Sequence, residues 1–408
     1  MSENNTNPDV VLLTHEYPPY VFGGVATYMK NIAEWLSQRG WKVLVIAGKT
    51  NLQNRLVVER KGNLTTVRIY FPEMPPRWFI YSLIARNYLK NMLMSTTTPK
   101  AILTNGLTAW LMFRKLKINP PHLLITVFHG SMYAPIMVFK SMLNYRNIGK
   151  IFPEEFLYFA QAPLHDILVK RDLDISNYYI FVAKHVSREF EQLYREKAVK
   201  IRERGKIVYP GIEFEYLVKL GQSVKAREKN RNIVAFVGRL FYSKGAIYAV
   251  KSIDYLVNEL REKDFELWVF GKGPLKPWLE HYVKKKDLSR FVKIHGFLPR
   301  DKLLYNLAKY VDVLLHPSLY EAAPLAVIES QALGIPVVTY DLPWAQEFIL
   351  NGVSGYRAPY ADIPALAKYI LKALDLDKDK IVLQARRFDK ERSFRKLQDI
   401  LNELSSNY

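Results

Sequence analysis

Short β-branched, apolar runs alternate with segments of helical period along the chain, and the alternation restarts halfway. That pattern confines the fold to parallel sheets flanked by helices. In the first half, strands are predicted at Val10–His15, Trp41–Ala47, Thr65–Tyr70, Ala101–Thr104, Leu123–Phe128 and Tyr178–Ala183. Val25, Tyr28, Met29, Ile32 and Leu36 follow the spacing of a helix with one apolar face, which Gly40 would close. The second half gives strands at Ile233–Val237, Phe265–Phe270, Val292–His295, Val311–His316 and Pro336–Thr339. The polar stretch Lys219–Arg231 reads as a linker, and Lys380–Leu404 as a charged amphipathic helix with no strand after it. The expectation is an α/β protein with two doubly wound, Rossmann-like domains facing a central cleft. They would occupy residues 1–205 and 206–379, with a closing helix in 380–408.

Composition removes several function classes. Cysteine is absent from the 408 residues, which excludes a disulfide scaffold, a thiolate metal site and a Cys nucleophile, and fits a reducing compartment. Met1–Asp9 lacks the pattern of a secretory signal, and no uncharged apolar run of about 18 residues exists. A cytoplasmic location is expected. Lys and Arg number 59 against 39 Asp and Glu, a formal net charge of +20. Between Glu73 and Glu154 there is no acid. That stretch holds Arg77, Arg86, Lys90, Lys100, Arg114, Lys115, Lys117, Lys140, Arg146 and Lys150 among aromatics such as Trp78, Phe79, Tyr81, Trp110, Tyr133, Phe139 and Tyr145. Such a mixture suits an anionic membrane surface, a phosphate-bearing substrate or nucleic acid. The plain alternative is a solvated basic face over buried aromatics. Within it, Arg77–Met94 reads as a helix with Arg86, Asn87, Lys90 and Asn91 on one polar stripe. Its apolar side, with Phe79, Ile80, Leu83, Ile84, Tyr88 and Leu93, would lie in a membrane interface or on the first sheet.

Four constellations could carry chemistry. His15-Glu16-Tyr17-Pro18-Pro19-Tyr20-Val21-Phe22-Gly23-Gly24 joins the first strand to the first helix. The glycine pair would let the backbone turn tightly and approach a ligand at a helix N-terminus, where free N–H groups favour anions. A mere tight turn is the alternative, and the dinucleotide fingerprint is not met. Phe236-Val237-Gly238-Arg239-Leu240-Phe241-Tyr242-Ser243-Lys244-Gly245 again leaves a strand and opens a helix. An Arg fork and a Lys point charge suit a departing diphosphate, whose charge grows as it leaves. Two surface cations would be the other reading.

Ser318-Leu319-Tyr320-Glu321-Ala322-Ala323-Pro324-Leu325-Ala326-Val327-Ile328-Glu329 is the most specific of the four. Pro324 fits the first turn of a helix that Gly334-Ile335-Pro336 ends, so Glu321 lies just before the helix N-terminus. Glu329, two turns along an otherwise apolar helix, is a costly side chain unless it accepts hydrogen bonds. A ribose diol offers two together; a local Lys or Arg partner is the alternative. His129 ends the strand Leu123–Phe128, where α/β sheets bind ligands. The pairs Asp172-Asp174, Asp375-Asp377 and Asp377-Asp379 read as solvated caps, not as a metal site.

In this order along the chain, the segments resemble the retaining glycosyltransferases of the GT-B fold, glycosyltransferase family 4 (group 1). The resemblance runs from Glu16-Tyr17-Pro18-Pro19 to Pro336-Val337-Val338 and rests on Val237-Gly238-Arg239-Leu240, Lys244-Gly245 and the spaced pair Glu321 and Glu329. Gly23-Gly24, His129 and Phe270-Gly271-Lys272-Gly273 also match. It implies that Arg239 and Lys244 grip the donor diphosphate, Glu329 the ribose and Glu321 the transferred sugar. The amides of Gly24, Ala323, Leu325 and Ala326 would complete the phosphate and sugar contacts, with Gly23, Gly238 and Gly271 lining the donor site. His129 would meet the sugar near its reacting carbon, and the loop holding Phe297 and Leu298 would hold the base. The family usually has Gly where Ala322 stands, so the added methyl would make the sugar pocket tighter or differently shaped.

The resemblance further implies transfer with retention and without metal or other cofactor, a nucleotide-sugar donor, and a last helix that crosses back to the first domain. The acid-free basic stretch suggests a glycan or lipid-linked acceptor, with a soluble sugar as the alternative. An anionic membrane surface would be a partner; nucleic acid is not expected. The competing readings are an inactive relative whose basic face binds RNA or membrane, and a nucleotide-dependent enzyme of another class such as a sugar-nucleotide epimerase.

Overall fold

The computed structural model of the chain describes residues 7–21, 23–49, 51, 56–72, 76–95, 101–114, 123–131, 160–224 and 230–406. It divides into two compact units. One is built from the chain before Ile212 and takes it up again at Lys390; the other contains Ile212–Asp389.

The first unit holds β1 (Val10–Thr14), β2 (Val43–Lys49), β3 (Leu56–Lys61), β4 (Leu64–Tyr70), β5 (Ala101–Asn105), β6 (Leu123–Phe128), β7 (Tyr178–Phe181) and β8 (Gly205–Ile207). Their order is β3-β4-β2-β1-β5-β6-β7-β8, parallel except for the antiparallel hairpin of β3 and β4. Every residue of β1, β5 and β6 is buried, as expected of strands covered on both faces. The strand order reverses between β1 and β5, so ligands are expected beyond the C-terminal ends of those strands.

The second unit holds β9 (Asn232–Val237), β10 (Phe265–Phe270), β11 (Val292–Gly296), β12 (Val313–Leu315), β13 (Val337–Tyr340) and β14 (Gly355–Ala358), in the order β11-β10-β9-β12-β13-β14. All neighbours are parallel, the Rossmann arrangement, and the switch point lies between β9 and β12. Each predicted strand overlaps an observed one, with ends that differ by at most two residues. Three were missed: β8 and β14 are very short, and β3 is almost wholly exposed, so it carries no alternation toward a core.

Several boundaries differ from the sequence expectation. Residue 206 does not open the second unit, because Gly205–Ile207 pairs with β7 as the last strand of the first sheet. Lys219–Arg231 is not all linker: its first residues complete the helix Phe214–Ser223, anchored by buried Phe214 and Leu217, while residues 225–229 lie outside the described residues. The closing segment is two helices, Lys378–Ala385 and Lys390–Ser406, not one. Between them Phe388 is fully buried, stacked on Phe348 at 5.1 Å, which pins the first helix to the second unit.

The second of these helices belongs to the first unit. Phe394 lies edge-on to Tyr28 and Trp35 of the helix Gly24–Gln38, at 6.2 and 6.0 Å, and is fully buried. Burial of such a ring contributes roughly 1.5–3 kcal/mol. Trp35 Nε1 donates to Glu391 Oε1 at 3.1 Å, and Arg39 pairs with the other carboxylate oxygen. A Cβ on Gly211 would lie 2.5 Å from Lys390 Cα, so a side chain there would displace the returning helix.

The helix Arg77–Ser95 packs its apolar side onto the first sheet. Tyr81, Ala85 and Leu89 are buried in that core, with Ile80, Ile84, Tyr88 and Leu93 against it. Asn87, Lys90 and Asn91 face solvent and Arg86 is half-buried. Glu73, Lys100, Lys115, Lys117, Tyr133, Phe139, Lys140, Tyr145, Arg146 and Lys150 lie outside the described residues.

Asp172 is not a solvated cap. On the helix Ala162–Ile175 it is fully buried, and its carboxylate accepts the amides of Leu107 (2.6 Å) and Trp110 (2.7 Å), capping the neighbouring helix Ala109–Phe113. Asp377 does cap its own helix, accepting from Asp379 and Lys380.

Candidate functional site

In the second unit, the loops leaving β9 and β12 are fastened together at the switch point. Ser243 O accepts the amide of Leu319 at 2.8 Å and the hydroxyl of Ser318 at 3.3 Å. Gly245 stands in the left-handed region with φ 79°, and a Cβ there would fall 2.0 Å from Pro317 O. Only glycine allows this approach, which carries Lys244 across to the other loop. Lys244 Nζ lies 2.7 Å from Glu321 Oε1 and 3.4 Å from Tyr320 O. His316, at the end of β12, brings Nε2 to 3.0 Å from the same Glu321 oxygen. Burial alone would raise the Glu321 carboxyl, but Lys244 and His316 outweigh it and hold it well below the usual carboxylate range. Glu321 is therefore an oriented anion.

Arg239 follows Gly238 at the end of β9, exposed, with its guanidinium 5.1 Å from the Phe241 ring centre. Gly271, after β10, lies against Gly238: a Cβ there would be 1.9 Å from Gly238 O, and Gly238 donates to Phe270 O at 3.0 Å. Three strand ends thus bring Gly238, Gly271, Lys244 and Glu321 to one edge of the sheet.

Pro324 is the N-cap of the helix Leu325–Ala332. The first amides with a helical acceptor are those of Val327 and Ile328, both on Pro324 O. Those of Ala323, Leu325 and Ala326 precede them, where a helix start presents N–H groups to an anion.

Glu329, buried on that helix, is paired with Arg300, which sequence reasoning did not single out. Arg300 Nε and Nη2 reach Glu329 Oε1 at 3.1 and 2.6 Å. The alternative of a basic partner for Glu329 is thus realised, but on one oxygen. Arg300 follows the loop of Phe297 and Leu298; Phe297 is exposed, with Lys272 Nζ 5.4 Å from its ring centre.

In the first unit, a side-chain chain links the C-terminal ends of β6, β5 and β1. His129 Nε2 meets Asn105 Oδ1 at 2.9 Å, Asn105 Nδ2 donates to Thr14 Oγ1 at 3.0 Å, and Thr14 Oγ1 donates to Glu16 O at 2.8 Å. Burial, with His15 nearby, pushes His129 down to about 3, so its ring is neutral at physiological pH. With the Asn105 amide oriented by Thr14, the His129 proton sits on Nε2 and Nδ1 is left as an acceptor. Tyr28 packs edge-on against this ring at 5.2 Å, so the returning helix supports His129 through Phe394 and Tyr28.

Glu16 Oε2 accepts the Gly23 amide at 3.0 Å and anchors the start of the helix carrying Gly24. Gly23 is not required by a tight turn: its φ of −168° is extended and a Cβ would meet nothing within 4 Å. The missing side chain instead leaves the helix start open.

The structure thus groups Gly238, Arg239, Lys244, Gly271, Glu321 and Glu329, with Phe297 and Leu298, at one sheet edge, and Gly23, Gly24 and His129 at the corresponding edge of the other unit. His316, Arg300 and Asn105 were missed. Asn105 and Arg300 matter through partners on other elements, and His316 through Glu321, five residues on in the loop after β12. Among the described residues no group of three His, Cys, Asp or Glu side chains is arranged to hold a metal ion.

Two family models match: "Glycosyltransferase Family 4" over residues 22–216 and "Glycosyl transferases group 1" over residues 222–392. An uncharacterized glycosyltransferase of Methanocaldococcus jannaschii is 25% identical over 358 residues, 85% of this chain and 84% of that one. Among solved structures, sucrose-phosphate synthase from Thermosynechococcus elongatus superposes with TM-score 0.77 at 17% identity, covering 98% of this chain and 100% of that one. HepE of Anabaena, determined with UDP and glucose, superposes with TM-score 0.67 at 17% identity over 97% and 99% of the two chains.

Proposed function

Since the chain belongs to the group 1 glycosyltransferases of family 4, with the GT-B fold, we propose that it moves a sugar from a nucleotide-sugar donor to a glycan or lipid-linked acceptor, with retention and without a metal. The observation that carries this reading is the cluster of Lys244, His316 and Glu321 at the β9/β12 switch point, with Arg239 in the same loop as Lys244. It sets cations and an oriented carboxylate beside a helix N-terminus, which suits a sugar joined to a diphosphate.

In this reading Arg239 and Lys244 stabilise the charge that grows on the departing diphosphate, and the amides of Ala323, Leu325 and Ala326 add donors to it. Glu321 accepts hydroxyls of the transferred sugar, while Glu329 takes the ribose diol through the oxygen that Arg300 leaves. Phe297 and Leu298 border the base. Gly24 offers a helix-start amide, and neutral His129 offers Nδ1 to a sugar hydroxyl near the reacting carbon. The diphosphate itself takes the acceptor proton on the face it leaves, so one cationic pair assists departure and attack. The donor reading is supported by the relative that was crystallised with UDP and glucose.

For the acceptor, the acid-free stretch between Glu73 and Glu154 favours a phosphate-bearing, lipid-linked molecule and peripheral docking at the inner face of a cell membrane. No described helix is long and apolar enough to cross a membrane. Because the apolar side of Arg77–Ser95 packs on the sheet, docking would rest on charge rather than insertion.

A thermal-shift panel of UDP, GDP, ADP and their sugars tests the donor site. A ligand at about 100 times its Kd adds about 2.7 kcal/mol, so the cognate nucleotide raises the melting temperature measurably. No shift with any of them would contradict the proposal.

A further inference from the structure

Glu329 and Arg300 form a pair whose geometry is uneven. An arginine fork usually spreads over both oxygens of a carboxylate. Here Nε and Nη2 converge on Oε1 alone, at 3.1 and 2.6 Å. Arg300 also stands at the first position of the helix Arg300–Tyr310, where a cation opposes the helix dipole. Helix stability gives no reason for an arginine there. Its position does: Phe297 and Leu298 precede it directly, and Glu329 lies 29 residues on, on a different helix. Its side chain is 42% exposed against 11% for Glu329.

We infer that Arg300 is a positioning residue for the nucleotide: it holds Glu329 Oε1 and turns Oε2 toward a ribose diol. The inference rests on the reading of Glu329 as the ribose-binding residue. Burial raises the Glu329 carboxyl above its ordinary value, and the Arg300 guanidinium is the charge that opposes the rise. Asp301 on the helix of Arg300 and Glu213 at the start of Phe214–Ser223 act on Arg300 and favour its charged form. On the other helix packed against Leu325–Ala332, Lys378, Asp379 and Lys380 are the charged residues, and none acts on Glu329. Without Arg300, Glu329 is protonated at a higher pH, and a protonated carboxyl accepts poorly from two hydroxyls.

The test is calorimetry of UDP, GDP and ADP, and of their 2′,3′-dideoxy analogues, from about pH 6 to about pH 9. Wild type is expected to bind one nucleotide and to prefer the ribose form, and its pH profile, which includes the titration of the nucleotide itself, is the reference. Arg300→Gln should weaken that binding about tenfold at the low end and recover as pH rises, because the carboxylate reforms. Arg300→Lys should restore most of the affinity, and Glu329→Gln should abolish both the ribose preference and the extra pH dependence that Arg300→Gln introduces. If Arg300→Gln only lowers the melting temperature, with affinity and pH profile unchanged, Arg300 is a structural tether and the inference is wrong. If Glu329→Gln keeps the full ribose preference, the reading of Glu329 itself fails. If wild type binds no nucleotide, both fail.

Discussion

Lys244 and Glu321 lie 77 residues apart in the chain, yet Nζ and Oε1 meet at 2.7 Å and join the loops after β9 and β12. The pair is linked to pH in a definite direction. The folded Glu321 value is depressed, so its contribution is present above the ordinary carboxylate value and is lost as pH falls through the folded one. Lys244→Met removes the largest opposing charge. The gap in melting temperature between wild type and this variant should be widest near neutrality and close in acid. A gap that stays constant with pH would deny the pair this role.

Transfer should survive EDTA. In the proposed reaction Arg239 and Lys244 meet the growing diphosphate charge, and cations there would do what a bridging metal otherwise does. Full loss of activity with EDTA, restored by Mg²⁺ or Mn²⁺, would contradict the metal-free reaction.

Asp172 gives a pH dependence of the opposite sign. Burial pushes its carboxyl up to about 7 despite the amides it accepts, so the folded state holds the proton more tightly. Stability from this group falls as pH rises from the ordinary carboxylate value toward about 7. Asp172→Asn faces one amide with a donor and should cost about 1–3 kcal/mol. The deficit relative to wild type, followed by thermal unfolding, should narrow as pH rises; a widening deficit would reverse the assignment.

Vesicle co-sedimentation tests the docking proposal. Binding should need anionic lipid, weaken with salt and drop in the Arg86→Glu, Lys90→Glu double variant. A protein that stays in the supernatant with anionic vesicles at low salt would redirect the acceptor search to soluble sugars.

Much of the architecture was legible because buried parallel strands such as β1 and β5 open with apolar runs, and the helix Gly24–Gln38 shows its period plainly. Glu329 stood out because an acid flanked by Leu325, Val327 and Ile328 needs a reason, and Glu321 because it lies just before a helix N-terminus. Their partners were hidden. Lys244 and Arg300 come to them from distant elements, and His316 meets Glu321 only because the loop after β12 folds back; no local pattern records those encounters. Asp172 misled for the same reason: a charged local sequence looks solvated, while the fold turns that side chain inward to cap a helix it does not belong to. The break at Arg386–Phe388 was invisible because it is set by distant partners: Phe388 is buried against Phe348, and its carbonyl accepts the Ile212 amide at 3.0 Å.

The central claim is that Arg239 and Lys244 act on the departing diphosphate of a nucleotide sugar. The most direct measurement is release of nucleoside diphosphate from a panel of nucleotide sugars, with donor affinity determined separately for wild type, Arg239→Ala and Lys244→Ala. The account predicts release by wild type from at least one donor. Each variant should lose turnover by on the order of a hundredfold or more, while donor affinity changes far less, because the charge they meet forms only in the transition state. Turnover left intact with only a raised donor KM would contradict it, as would the absence of release from every donor.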